Sequence, residues 1–98
     1  MIIVTGGVRA RADAVDEVVA LSLEHVHRSR AEPGCLLHSV HRDVEDPLHF
    51  VFVEHWADAD ALRAHFRVPA SGEFVQRLNG LTTEPPTIDI YDAQVAQL

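Results

Sequence analysis

The chain has 98 residues, a formal net charge of -7 and no lysine. Neutralising phosphates takes clustered cations, so this balance excludes a nucleic-acid partner and disfavours anionic membrane surfaces. The 47% hydrophobic content argues against disorder, and the length suits one domain over residues 1–98. The only cysteine, Cys35, rules out an intramolecular disulfide and fits a reducing, cytoplasmic setting. No stretch approaches the ~20 apolar residues of a membrane span, and Met1-Ile2-Ile3-Val4 lacks the basic start of a secretory signal.

Ile2 to Val8 reads as a first strand, with Gly6-Gly7 suggesting a bulge or a close backbone approach. Asp13 is placed to cap a helix that runs to about Ala31, with Val15, Val18, Val19, Ser22, Leu23 and Val26 as its apolar stripe. Glu32-Pro33-Gly34 ends it. Cys35 to Asp43 alternates, with Leu36, His38, Val40 and Arg42 on one face and Cys35, Leu37, Ser39 and His41 on the other. Glu45-Asp46-Pro47 forms a hairpin turn, and Leu48 to Ala57 is a third strand. Asp58 caps a second helix whose inward face is Ala59, Leu62, His65 and Phe66. Pro69 breaks it, and a further helical piece to about Gly80 carries Phe74, Leu78 and Leu81 on one side. Glu84-Pro85-Pro86 leads into a last strand, Thr87 to about Val95.

The order strand, helix, strand, strand, helix, strand is that of an α+β, ferredoxin-like split βαβ fold. Helices cover one face of such a sheet. The third strand, however, is apolar on both faces, through Phe50, Phe52 and Trp56 and through Val51 and Val53. Leaving either set in water creates an interface-sized patch, so the pattern predicts a homodimer with sheets stacked face to face.

Seven histidines call for a test of metal binding. His25 and His27 lie roughly 200° apart around a helix, and His38 and His41 point to opposite faces of a strand. His49 and His55 share a face but sit about 20 Å apart. No local pair has ligand spacing, so no metal is expected unless a site is assembled from distant segments, and most of these histidines read as surface residues. His65 differs because it lies on an inward stripe: it is either a core histidine bonded to a carbonyl or a proton acceptor facing a pocket. His38 is either a satisfied buried group or a polar anchor for a ligand hydroxyl. Trp56 serves as core or as the flat wall of an aromatic site. Glu54 shares a face with Phe50, Phe52 and Trp56 and must find a partner, an arginine such as Arg42 or Arg63 being the simplest.

The segments Pro33-Gly34-Cys35-Leu36, Arg42-Asp43 with Asp46-Pro47, Phe50 through Trp56, and Ala61-Leu62-Arg63-Ala64-His65-Phe66 together resemble the antibiotic biosynthesis monooxygenase (ABM) domain. The resemblance covers nearly the whole chain and implies a dimeric α+β barrel. Family members include cofactor-free quinol or anthrone monooxygenases, haem-degrading monooxygenases and an isomerase of a phosphorylated signal molecule. For this chain it implies a pocket between sheet and helices in which a small aromatic substrate meets O₂ with no cofactor. His65 or His38 would take a proton, and Trp56, Phe52, Phe66 and Phe74, with Glu54 nearby, would enclose the ring. Two departures bear on this. The haem-degrading members' first-strand asparagine is missing here, Asn79 being the only Asn, and the tyrosines common in related pockets are reduced to Tyr91. A haem-binding or haem-degrading enzyme and a non-catalytic dimeric module that binds a small ligand are the alternatives.

Overall fold

Strict alternation along one strand organises the molecule. In β3 (His49–Trp56) the side chains of Phe50, Phe52, Glu54 and Trp56 are buried, while those between them are half-buried. The computed structural model, which describes residues 1–98, sets this strand beside β1 (Ile2–Arg9) and β2 (Cys35–Arg42), with β4 (Thr87–Asp92) on the far side of β1. All pairings are antiparallel and the order is β2-β3-β1-β4. Helices α1 (Val15–Ser29), α2 (Ala59–Arg67) and α3 (Pro69–Asn79) cover the face that carries the buried β3 side chains. This is the expected α+β, ferredoxin-like arrangement.

The core beneath the helices is divided. One apolar cluster includes Val8, Val18, Val26, Phe50, Phe52 and Phe74; the other is Val4, Trp56 and Leu62. Glu54 stands between Phe52 and Trp56 on the same strand face, opposite Val4 on β1 and His38 on β2. The opposite face carries Ile3, Val51 and Val53, half-buried, and Leu37 and Tyr91, exposed. In this one chain nothing covers it.

Several local expectations need correction. Asp13 does not cap α1; Ala14 occupies that position without a side-chain bond, because the Asp13 carboxylate is engaged by Arg11 at 3.0 Å. The helix stops at Ser29, and its buried stripe includes Leu21, His25 and Ser29, whereas Leu23 is exposed. A register shift between Cys35 and Leu37 reverses the expected facing at the start of β2. Cys35 therefore packs beside Trp56 with the second cluster, and Leu36 is 61% exposed. Gly6-Gly7 makes no bulge, since β1 keeps register with both neighbours. The close approach is present instead: a β-carbon on Gly7 would meet Thr87 Oγ1 at 2.6 Å. Phe66 is half-exposed, and β4 ends at Asp92 with every side chain exposed.

Gly34 turns the chain into β2 with φ of 81°, where a side chain would also collide with Ala61. That contact seats α2 against the loop before β2. Trp56 is fully buried beneath it. Trp56→Ala should cost about 3–5 kcal/mol in chemical denaturation; a variant as stable as the parent would show that the indole is not core.

Candidate functional site

His65 owes its position to how α2 begins. Asp58 Oδ1 accepts from the Ala61 N–H at 2.8 Å, fixing the helix start as expected, and Leu62 and His65 then fall on the buried face one turn apart. Pro69 ends α2 and supplies the first residue of α3. The His65 ring lies 4.6 Å from Trp56 by ring centres, tilted by 34°. Its Nδ1 is 2.8 Å from Glu32 Oε1. Since a carboxylate only accepts, Nδ1 carries a proton, and in the neutral ring the lone pair is on Nε2.

Glu54 is the other centre. Its Oε1 accepts from Trp56 Nε1 at 2.9 Å and lies 3.4 Å from His38 Nε2 and 3.9 Å from His65 Nε2. The arginine partners expected from sequence are engaged elsewhere: Arg42 donates to the Pro47 carbonyl and lies over Phe50, and Arg63 pairs with Asp60. Burial pushes the Glu54 carboxyl up, but His38, Trp56 and His65 together outweigh it and hold it below the usual carboxylate range.

His25 completes the group from α1, and its burial corrects the expectation of a surface residue. It stacks flat on Phe74 at 4.0 Å between ring centres, and its Nδ1 accepts from Arg28 Nη2 at 2.8 Å. Burial first, then the neighbouring His38, His65 and Arg28, push this imidazole down to about 3. The rings of His25, His38 and His65 thus form a triangle with centres 5.3, 5.4 and 5.5 Å apart. The argument against local pairs stands, and the cluster is of the kind it left open, assembled from distant segments, its members coming from α1, β2 and α2. The clue for His25 was its place on the stripe Val18, Ser22, His25, Ser29. Glu32, assigned only to the helix end, gave no local sign of a partner 33 residues away.

A cavity of about 310 Å³ opens beside this cluster, between α2–α3 and the β1–β4 half of the sheet. Its apolar wall includes Val4, Phe52, Phe74, Leu78 and Ile88, with Gly6 as part of its floor. Glu54, His65, His25 and Ser71 supply its polar lining, and Phe66 reaches its rim. Five of the residues predicted for the site therefore meet here: His65, Glu54, Phe52, Phe66 and Phe74. Trp56 and His38 do not touch the cavity. They lie one layer behind it, because the His65 ring covers the indole and Glu54 stands in front of His38.

Residues 1–77 match the antibiotic biosynthesis monooxygenase family. The chain belongs to that family. An uncharacterized protein of Synechocystis sp. is 37% identical over 90 residues, which is 92% of this chain and 61% of that protein. The chain thus spans under two thirds of that relative's length. A crystal structure from Deinococcus radiodurans, provisionally assigned as an antibiotic biosynthesis monooxygenase, is 30% identical, with a TM-score of 0.95 over 100% of this chain and 97% of the other. A second crystal structure, described as an antibiotic biosynthesis monooxygenase, is 33% identical with a TM-score of 0.89 over 97% of this chain and 100% of its own. No helix is long and apolar enough to cross a membrane.

The depressed pKa of His25 fixes the sign of one pH effect. The unfolded chain takes up this proton below about 6.5 and the folded chain only near 3, so stability is full above about 6.5 and falls as pH drops toward 3. Going from about pH 7 to about pH 5 should cost the protein about 2 kcal/mol more than it costs His25→Phe, by urea unfolding at both pH values. Equal losses would mean that His25 is protonated in the fold.

Proposed function

We propose that the chain is a monooxygenase that oxidises a quinol- or polyphenol-like aromatic with O₂, using no resident cofactor. What supports this reading is one arrangement: an imidazole whose Nδ1 is held by Glu32 and which lines an apolar cavity with its other nitrogen free. Family membership points the same way. A cavity of about 310 Å³ is at the lower end of small-ligand sites and suits a substrate of one or two rings.

A phenol in this cavity loses its proton to His65 Nε2, and the Glu32 carboxylate stabilises the imidazolium that forms. Glu54, ionised and backed by His38 and Trp56, accepts from the second hydroxyl and orients the ring between Phe52 and Phe74. Deprotonation raises the reducing power of the ring, and the apolar walls keep bulk water from it. The substrate supplies all four electrons that O₂ requires: two on passing from quinol to quinone and two on hydroxylation of the ring. One oxygen atom joins a ring carbon, the other leaves as water with the two hydroxyl protons, and the ring hydrogen displaced moves to the new hydroxyl.

Two copies bury the open face of Ile3, Leu37, Val51, Val53 and Tyr91 against each other in this reading, which the two-faced β3 supports. Sedimentation should give twice the chain mass; a well-folded lone chain would overturn the dimer.

Oxygen uptake over a panel of hydroquinones tests the reaction. His65→Gln should lower the rate about 100-fold or more, and Glu32→Gln about tenfold, with melting curves to confirm folding. Uptake unaffected by the protein and by His65→Gln would leave a binding module in place of an enzyme.

A further inference from the structure

Three buried imidazoles from separate elements, ringed by two carboxylates, make an unusual interior for a small chain. We infer that His25, His38 and His65, with Glu54 as fourth ligand, form a binding site for a late first-row divalent cation of the zinc type. The inference goes beyond the oxidation proposed above and does not depend on it.

Ring placement is the first support. An ion bonded to three imidazoles at about 2.0–2.1 Å holds their centres about 3.2 Å away, hence about 5.2 Å apart when tetrahedral. The observed centres are 5.3, 5.4 and 5.5 Å apart. One ring nitrogen from each lies within 4.8 Å of the others, against about 3.3 Å in a filled site, so ring rotation rather than backbone movement closes the set. Glu54 Oε1, 3.4 Å from His38 Nε2 and 3.9 Å from His65 Nε2, stands where a fourth donor is needed.

The second support is an unused donor. The His38 side chain is wholly buried, yet neither of its nitrogens makes an aligned hydrogen bond. A buried imidazole left that way is costly, and coordination relieves it. A third support is Glu32: by accepting a hydrogen bond from His65 Nδ1–H it favours the tautomer that presents Nε2 to an ion, as carboxylates behind metal-bound histidines do. Glu32 and Glu54 also supply two negative charges to balance a divalent ion. Imidazole-rich donors select zinc, copper, nickel or cobalt over magnesium or calcium.

One group opposes binding. Arg28 donates to His25 Nδ1, and for His25 to ligate through Nε2 that bond must be released so that the proton can move to Nδ1. Arg28 is half-exposed and can turn to solvent. An ion on His65 Nε2 also occupies the lone pair that a phenolic proton would need, so the two uses of this residue exclude each other.

Titration of chelator-stripped protein with Co²⁺ and Zn²⁺, without any substrate, tests the site. One ion per chain should bind, with the intense visible absorption of tetrahedral Co²⁺ and a rise in melting temperature with Zn²⁺. His25→Phe should weaken binding at least tenfold. Arg28→Met, which removes the competing cation, should tighten it. His41→Ala and His55→Ala, on the open sheet face, should leave it unchanged. Should a histidine variant fail to fold, X-ray absorption of the Zn²⁺-loaded parent decides, three imidazoles being expected in the first shell. Fewer than three imidazoles, no saturable binding, or binding untouched by His25→Phe would overturn the inference.

Discussion

A charged carboxylate inside so small a protein sets the terms for everything around it. An unpaired buried carboxylate costs several kcal/mol, and loss of a partner from such a group is strongly destabilising. Glu54 accepts from an indole N–H in its own strand and faces imidazoles from β2 and α2 at 3.4 and 3.9 Å. Meeting that demand brings three elements together and divides the apolar core into two parts. The polar belt between those parts is the candidate site.

The belt is also layered. Trp56 and His38 lie behind, Trp56 bonded to Glu54 and backing His65 and His38 facing Glu54, while His65, Glu54 and His25 reach the cavity. Glu32 stands off to one side and determines which His65 nitrogen is free. The groups that line the cavity are thus backed by groups that do not reach it, which is how a functional constellation keeps its geometry.

Much of the fold was legible because periodicity is a local property. The alternation of β3, the proline between α2 and α3 and the Asp58 cap each act over a few residues, and each is found where the pattern put it. What escaped was competition or distance. Arg11 took the Asp13 carboxylate from the helix start, and a slipped register at Leu37 exchanged Cys35 for Leu36 on the inner face. The site divides along the same line. His65 and Glu54 betrayed themselves as polar residues on apolar faces. His25 was read against its neighbour His27 rather than against its own stripe, and Glu32 is linked to His65 only through tertiary structure.

Gly6 lies in the middle of β1 with its missing side chain directed under the helices, between Phe52 and Ile88. A methyl group there would meet Thr87 O at 3.4 Å and Phe52 Cβ at 3.8 Å, ordinary van der Waals separations. The hollow is therefore as deep as one absent substituent makes it, on a strand that carries none of the ionisable groups lining it. Kinship with this chain can then survive large changes in appetite: a single codon swap at this position rescales the chamber while the charged machinery beside it stays as it is.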